Sequence, residues 1–182
     1  MQTLDSQIDR LNRYLKSLHH KAVPAAYASA MNKSLARIRT RLVRGVSKRE
    51  KIPAKHIRKR VFIRRATART LRGRLSIYVE DIPVISLLRD QTPTTGRKRR
   101  IRAAGRVYHN AFIRRPQKSK GRGKPHVFQR QSTARYPIAI QKIAIDKPVK
   151  AVTPVVIRRV MRHVHPRLLR HELRYRIDKH VR

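Results

Sequence analysis

The sequence predicts an α+β fold with N-terminal helices, a central antiparallel sheet that carries a long basic hairpin tip, and C-terminal helices. In residues 1–60 and 148–182, apolar residues recur every three or four positions, as on one face of a helix. In residues 61–147 they form short runs or alternate with polar residues, as in strands. Helices followed by strands and then by helices favour one antiparallel sheet. We expect the three segments to form one structural domain overall.

The net charge limits the possible functions more than any other feature of the sequence does. The 182 residues include 48 Lys and Arg but only nine Asp and Glu, a formal net charge of +39. Self-repulsion at this density opposes a compact monomer, so the charge must be met by nucleic acid, an acidic protein surface or an anionic membrane. The chain has no Cys, which excludes disulfides and cysteine metal sites. No apolar run approaches the roughly 20 residues that span a membrane, and the first residues lack the apolar core of a signal peptide.

The N-terminal stretch predicts an amphipathic helix. Asp5 or Ser6 is a candidate cap, and acidic residues in the first turn suit the helix dipole. The apolar stripe packs either on its own domain or on a neighbouring subunit, and its spacing does not distinguish these alternatives. Five residues form this stripe: Leu4, Ile8, Leu11, Leu15 and Leu18.

A second helix is predicted to open at Pro24, because proline is favoured in the first turn. Its alanines favour helix, and we expect it to end near Gly45. Ile52 and Pro53 then begin a short third helix. The apolar face of the second helix is supplied by four residues: Met31, Leu35, Ile38 and Leu42.

Strands are predicted at residues 61–63 and 71–79, where apolar and polar residues alternate over part of the length. Glu80 and Asp81 follow as an adjacent acidic pair. Neighbours on a strand point to opposite faces, so this pair suits the acceptance of a nearby arginine better than acid–base catalysis. Pro83 indicates an edge strand or a bend.

The stretch from Asn110 to Ile145 predicts a long-tipped hairpin followed by another strand. Two short apolar runs, residues 111–113 and 126–128, flank a basic tip at residues 114–125 that is rich in Gly, Pro, Lys and Arg. A third run at residues 136–145 partly alternates apolar and polar residues. The basic tip cannot bury enough apolar surface to order itself, so we expect it to be mobile without a partner.

Residues 91–105 predict a second basic loop, because Thr, Pro and Gly precede a cluster of four basic residues. Both loops lie within residues 91–145, which contain fifteen Lys or Arg and no Asp or Glu. After this acid-free stretch the chain returns to helix. Thr153 and Pro154 are a plausible cap and first turn, and Pro166 should break or kink this helix before a last helical segment at residues 168–181.

Nothing in the sequence indicates an enzyme, a cofactor or a metal site. The acids are scattered, and no histidine pair has the four-residue helical spacing of a metal site with a carboxylate beside it. Gly121 and Gly123 are too close and wrongly placed for a phosphate-binding loop. There is no Cys nucleophile and no Ser in an elbow motif.

Contact with a nucleic-acid backbone is the strongest chemical inference, because Lys and Arg neutralise phosphates without sequence choice. The alternative is contact with an acidic neighbouring protein. Phe112, Phe128 and Tyr136 resemble core residues more than a base-stacking platform, and the basic C-terminal helices lack the aromatic apolar face of membrane-surface helices. The candidate contact residues lie in two groups: Arg97, Lys98, Arg99, Arg100 and Arg102, and then Arg114, Arg115, Lys118, Lys120, Arg122 and Lys124.

Four motifs occur in order at residues 75–87, 110–113, 126–130 and 135–138, after an N-terminal pattern at residues 22–32 and around a basic middle segment. This ordered set resembles the minor tail protein Z family of long-tailed bacteriophages and prophages, whose members include tail completion proteins. The resemblance covers most of the chain, although the C-terminal helices match only in character.

The resemblance implies a structural virion protein made late in infection, located in the tail at its head-proximal end and in the host cytoplasm during assembly. It implies tail completion and head–tail joining, with no catalytic residues. The implied partners are other copies of the chain in a ring, commonly of six, the tail terminator and other neck or tail proteins, and phage DNA without sequence specificity. The alternative is a nonspecific nucleic-acid-binding protein of ribosomal or nucleoid type.

Overall fold

The computed structural model describes residues 4–88, 99–118, 121–132 and 136–181, and the predicted α+β fold is confirmed. The helices are α1 (Leu4–Ser17), α2 (Val23–Glu50), α3 (Ala54–Arg58), α4 (Asp146–His163) and α5 (His165–Val181). The strands are β1 (Val61–Arg64), β2 (Arg74–Ile77), β3 (Ile82–Pro83), β4 (Arg99–Ala103), β5 (Arg106–Arg114), β6 (Gln117–Lys118), β7 (Gly121–Arg122), β8 (His126–Arg130), β9 (Ile138–Ile140) and β10 (Lys142–Ile143).

The apolar stripe of α1 is exposed. Ile8, Leu11 and Leu15 keep 47%, 56% and 52% of their surface accessible, so the interpretation that the stripe packs on its own domain is not supported. The side chains of Leu4 and Leu18 lie outside the described residues. Packing of the stripe on a neighbouring subunit stays a prediction.

Pro24 lies in the first turn of α2, as predicted. Between α1 and α2 the chain forms a five-residue π-helical segment, Leu18–Ala22. Proline has no backbone N–H and its ring clashes with the carbonyl of the residue four positions earlier, here His20. A regular α-helix therefore cannot run through this point, and a wider helical turn accommodates the proline.

The predicted end of α2 near Gly45 was wrong, because the helix continues to Glu50. A Cβ at Gly45 would lie 2.8 Å from Cγ1 of Val152 in α4, so the glycine permits a close helix contact rather than a helix end. The helix ends where Lys51 adopts a left-handed conformation, with φ of 54°. The short third helix is confirmed as α3, in which Ile57 is buried.

Strand β1 pairs with β2 in antiparallel register, Val61 opposite Ile77 and Arg64 opposite Arg74. The second strand, Arg74–Ile77, is shorter than the predicted 71–79, and a turn at residues 67–71 precedes it. In that turn the Thr67 and Thr70 hydroxyls accept hydrogen bonds from each other's backbone N–H. The Pro83 strand is two residues long and pairs with β10, which agrees with the predicted edge or bend.

The main sheet has the strand order β4-β5-β8-β9, and all its neighbouring strands are antiparallel. The predicted loop at residues 91–105 was wrong for its second half, where residues 99–103 form β4 and a two-residue turn leads into β5. Ala104 and Gly105 both have positive φ, 51° and 70°, as a type I′ hairpin turn requires. Residues 89–98 lie outside the described residues.

Strand β5 contains a bulge beside β4. Between the pairs Arg99 with Ala111 and Ile101 with Tyr108, β5 has one more residue than β4. Asn110 takes up the extra residue with φ of 56°, a left-handed conformation that Asn tolerates better than most residues.

The predicted loop at residues 114–125 was also wrong in part. Gln117 pairs with Arg122 and Lys118 with Gly121, so the basic tip contains the two short strands β6 and β7. Backbone hydrogen bonds join these two strands, and just beyond them the Gly123 N–H donates to the Pro116 carbonyl at 2.8 Å. Residues 119 and 120 lie outside the described residues, and the expected mobility of the tip stays a prediction.

The predicted cap at Thr153 and Pro154 was wrong, because α4 begins at Asp146 and Pro154 lies inside it. Asp146 supplies an acidic first turn and an ion pair with Lys150 at 2.8 Å, which stabilises this earlier start. The predicted break at Pro166 is confirmed by the end of α4 at His163 and the start of α5 at His165.

Two compact units make up the fold. One comprises Met1–Leu42, Val61–Ile77 and Thr153–Arg182, and its core includes Ala26, Ala30, Leu42 and Val160. The other comprises Val43–Arg60 and Tyr78–Val152, and its core includes Val46, Ile57, Ile82, Val127 and Ile143. The expectation that the three sequence segments form one structural domain stays a prediction. Among the described residues, no helix is long and apolar enough to cross a membrane.

Candidate polyanion-binding surface

The described members of the first predicted group of basic residues lie on β4, an edge strand of the main sheet. In β4, Ile101 and Ala103 are buried, whereas Arg100 and Arg102, which alternate with them, are exposed. This alternation follows from the pleat, which points successive side chains to opposite faces. Arg99 begins the strand, but its side chain lies outside the described residues, as do Arg97 and Lys98 entirely.

The second predicted group lies at the basic tip. Arg114 ends β5 and is exposed, and Arg115 and Lys124 are exposed beside it in sequence. Lys118 and Arg122 lie in β6 and β7, but their side chains lie outside the described residues, and Lys120 lies outside them entirely. The tip is therefore a two-stranded basic ribbon where it can be described, and it follows β5 in sequence.

The structure spreads these residues along the sheet rather than gathering them at one point. Arg102 is opposite Val107 at the start of β5, and Arg114 is at its end. Arg114 lies seven positions after Val107, a distance of about 23 Å in an extended strand. An extended or repeating polyanion fits this arrangement better than a single small anion does.

The main sheet itself contains no acidic residue, and among its described arginines Arg106 pairs with an acid from outside the sheet. Arg106 pairs with Glu50 at 2.8 Å, and the Asp146–Lys150 pair lies in α4. Arg100, Arg102 and Arg114 make no ion pair with any residue that the structure describes. Because residues 91–145 contain no carboxylate side chain at all, counter-charge for this surface has to come from elsewhere.

Sequence reasoning missed the side chains that lie beside these arginines. Phe112 and Phe128 are only half-buried and stack on each other, with ring centroids 5.8 Å apart and planes at 22°. Arg130 lies over the Phe112 ring, 5.6 Å from its centroid. Tyr136, also interpreted as a core residue, is 67% exposed. The sequence did contain a signal for the position of Phe112. It alternates with Ala111 and Ile113, so in a strand its side chain lies on the face opposite to theirs.

His56 in α3 adds little positive charge at neutral pH to the compact unit that also contains the main sheet. Burial of the imidazole lowers the pKa of His56 below its usual 6.5, and the nearby charges of Lys55, Lys59 and Arg60 lower it further. At neutral pH the His56 side chain is therefore uncharged, whereas the neighbouring lysines and arginine are charged.

The acidic pair Glu80 and Asp81 does meet an arginine, as predicted, but through different atoms. Arg60 donates from Nη1 to the backbone carbonyl of Glu80 at 2.7 Å and from Nη2 to that of Asp81 at 3.4 Å. The prediction that the carboxylates accept the arginine was wrong, since the backbone carbonyls do so. Both acidic residues are exposed.

A serine and a histidine meet in the other unit, but not as a nucleophile and its base. The Ser34 hydroxyl donates to the Ala30 carbonyl at 2.8 Å, as a serine in a helix commonly does. His165 Nδ1 lies 3.0 Å from the same Ser34 oxygen. In this arrangement the Ser34 hydroxyl donates to the Ala30 carbonyl, whereas general-base activation requires it to donate to the ring nitrogen. Within the described ranges no three His, Cys, Asp or Glu side chains gather to form a metal site.

Comparison with known proteins agrees with the resemblance noted in the sequence. The profile of the family described as prophage minor tail protein Z (GPZ) matches residues 4–182. The tail completion protein of Escherichia phage N15 is 32% identical over 150 residues, which cover 80% of this chain and 79% of that protein. No solved structure matches the chain. A near-complete family match and a relative of this identity establish that the chain belongs to the prophage minor tail protein Z family and is a structural protein of a phage tail.

Proposed function

We propose that the protein completes the tail at its head-proximal end and takes part in joining the tail to the head, assembled as a ring around the channel that DNA crosses. The name of the phage N15 relative, a tail completion protein, supports the first part. In such a ring the like charge of the copies would be offset by the central DNA and by acidic neighbours, with which every copy is in contact.

The observation that carries the proposal is the acid-free sheet with exposed arginines. Arg100, Arg102 and Arg114 project from ordered strands and lack a carboxylate partner among the described residues. A strongly basic surface that is held in place is suited to a partner of fixed geometry, such as duplex DNA in a channel or an acidic ring above or below. Phosphate contacts of this kind give affinity and register without sequence choice.

The test uses the phage or prophage with its own copy of the gene inactivated and a variant supplied in trans. Arg114, Arg115 and Lys124 are replaced together by Gln, which removes charge from exposed positions without emptying the core. A matched control replaces Arg167, Arg170 and Arg174 by Gln, three exposed residues of α5. Infectious particles are counted, and purified tails and virions are examined by electron microscopy and mass spectrometry.

We expect the tip variant to lower infectious titre at least tenfold more than the α5 variant, with tails that form but join heads poorly or hold DNA incorrectly. Equal titres for the tip variant and the wild type would contradict a functional role of the tip. Absence of the chain from purified virions, with salt-sensitive copurification of cellular RNA or DNA, would contradict the whole proposal. That outcome would favour a free nucleic-acid-binding protein instead.

A further inference from the structure

The main sheet has a second face, opposite its buried one, whose side chains differ in chemistry from the basic tip. We call it the outer face. On β4 and β5 it carries Arg102, Val107, Phe112 and Arg114, and on β8 and β9 it carries His126, Phe128, Arg130, Ile138 and Ile140. The strand register places these residues on the same face, because each of them is paired across strands with another of them. The pairs are Arg102 with Val107, Phe112 with Phe128, Arg114 with His126, Arg130 with Ile138, and Phe128 with Ile140.

An apolar row crosses the middle of the outer face. Phe112, Phe128 and Ile140 are direct neighbours on three adjacent strands. The two rings stack, and the edge of the His126 ring meets Phe128 at a centroid distance of 6.2 Å. Ile140 is 42% exposed and Val107, nearer the turn, is 44% exposed. Water is therefore in contact with apolar side chains that no described residue covers fully.

Cationic side chains flank this row. Arg114 lies on one side of Phe112 along β5, and Arg130 lies on the other side across the ladder, with its guanidinium over the Phe112 ring. The stacking orders Arg130 before any partner arrives, which reduces the entropy lost on binding. Aromatic and apolar residues at the centre with arginine around them are the composition typical of protein–protein interfaces.

Charge and ring geometry exclude two occupants of this face. A second copy of the chain has 48 basic and nine acidic residues, so it would bring mainly like charge. A nucleic-acid backbone would meet the arginines but leave Val107 and Ile140 without a partner, because phosphate contacts use polar and cationic groups. Base stacking needs an accessible ring face, and the Phe112 ring is already in contact with Phe128 and Arg130.

We propose that the outer face binds an acidic amphipathic segment of another protein. Its carboxylates pair with Arg102, Arg114 and Arg130, and its apolar side chains cover Val107, Phe128 and Ile140. Polyanions with and without apolar groups are thereby assigned to different surfaces, the main sheet and the two-stranded ribbon of the tip. The outer face, which includes Arg114, takes an acidic protein, and the rest of the basic tip from Arg115 onward is left for a phosphate backbone. This assignment does not depend on the position of the protein in the virion.

The test measures binding of the full-length protein to three polyanions by fluorescence anisotropy at fixed ionic strength. The probes are poly-L-glutamate, a random glutamate–tyrosine copolymer of the same length, and a duplex DNA of 20 base pairs, a probe size chosen to be about two helical turns. The principal variant is Ile140→Ser and the second is Val107→Ser. Both residues are exposed, so neither change empties the core. Val155→Ser is the matched control, at a residue in α4 that is 65% exposed.

We expect the wild type to bind the copolymer about tenfold more tightly than poly-L-glutamate, since burial of a half-exposed aliphatic side chain accounts for roughly that factor. Ile140→Ser and Val107→Ser should each remove most of this preference and leave DNA affinity unchanged, while Val155→Ser changes neither. Equal affinity of the wild type for the two polymers would overturn the proposal. So would an equal loss of copolymer and DNA affinity in the serine variants.

Discussion

Lys33 in α2 and Glu172 in α5 form an ion pair, and we expect replacement of Lys33 to destabilise the fold more than replacement of Glu172. The Glu172 side chain is only 7% exposed, whereas that of Lys33 is 52% exposed. Replacing Lys33 by Met would leave a buried carboxylate with the Ser29 hydroxyl and the more distant charge of Arg176. Replacing Glu172 by Gln would leave the Lys33 ammonium without its carboxylate partner, but that ammonium is already accessible to water.

The magnitudes follow from this asymmetry. Breaking a fully buried pair typically costs 3–5 kcal/mol, and the exposure of Lys33 and the remaining groups around Glu172 reduce this to about 2 kcal/mol for Lys33→Met. Glu172→Gln should cost about 1 kcal/mol, because the amide still accepts hydrogen bonds from Ser29 and Lys33. The double variant should resemble Glu172→Gln alone, since without the carboxylate the loss of Lys33 no longer strands a charge.

Acid unfolding gives a second readout of the same pair. The hydrogen bond from Lys33 is the largest cause that holds the pKa of Glu172 below its usual 4.5, opposed by burial and aided by Ser29 and the nearby positive charges. A carboxyl whose folded pKa is depressed stabilises the fold above the unfolded pKa, and this stability is lost as pH falls through the folded pKa. Glu172→Gln should therefore flatten the loss of stability below about pH 4.5.

Urea denaturation of the single variants and the double variant at pH 7 and pH 4 measures these quantities. The reasoning would be refuted if Glu172→Gln were as destabilising as Lys33→Met at pH 7. It would also be refuted if the double variant showed the sum of the two single costs, because the two side chains would then be acting independently.

Two backbone positions give further predictions for stability. Ala104 has a left-handed conformation in the β4–β5 turn, so Ala104→Asn, which creates the preferred Asn-Gly turn, should raise stability by about 0.5–1 kcal/mol; no gain in the urea midpoint would contradict the turn assignment. Gly45→Ala should destabilise by about 1 kcal/mol net, as the new methyl meets Val152 and this overpacking outweighs the gain in helix propensity. In a Val152→Ala background the same change should stabilise by about 1 kcal/mol, and a destabilisation there would exclude the steric explanation.

The elements that were predicted correctly are those whose signal is local. Apolar periodicity identified α1 and α5, and the prolines at 24 and 166 marked the first turn of α2 and the break before α5, because proline acts through its own missing N–H. Gly45 was misinterpreted, since the reason for that glycine is a contact with Val152, a hundred residues away in sequence. Strand β4 was missed because its exposed arginines resemble a loop while its buried residues, Ile101 and Ala103, are few.

The candidate surface was predictable in composition but not in arrangement. The sequence identified Arg100, Arg102 and Arg114 as basic residues in an acid-free stretch, and all three prove to be exposed on the sheet. It could not identify the outer face, because the assignment of Phe112 and Arg130 to one side depends on strand register across β5 and β8. Side chains that are far apart in sequence become neighbours only through that pairing.

The arginines of the acid-free sheet also determine which changes in solution can release a bound partner. Of the 48 basic residues 33 are arginine, whose guanidinium stays protonated at any pH a phage meets. Acidification can only neutralise nine carboxylates and charge nine histidines, so it increases the positive charge. Dissolved salt, in contrast, shortens the screening length from about 10 Å at 0.1 M to about 3 Å at 1 M. The positive charge that this surface offers is therefore not lost on acidification, whereas dissolved ions or a competing polyanion weaken its contacts with a phosphate backbone.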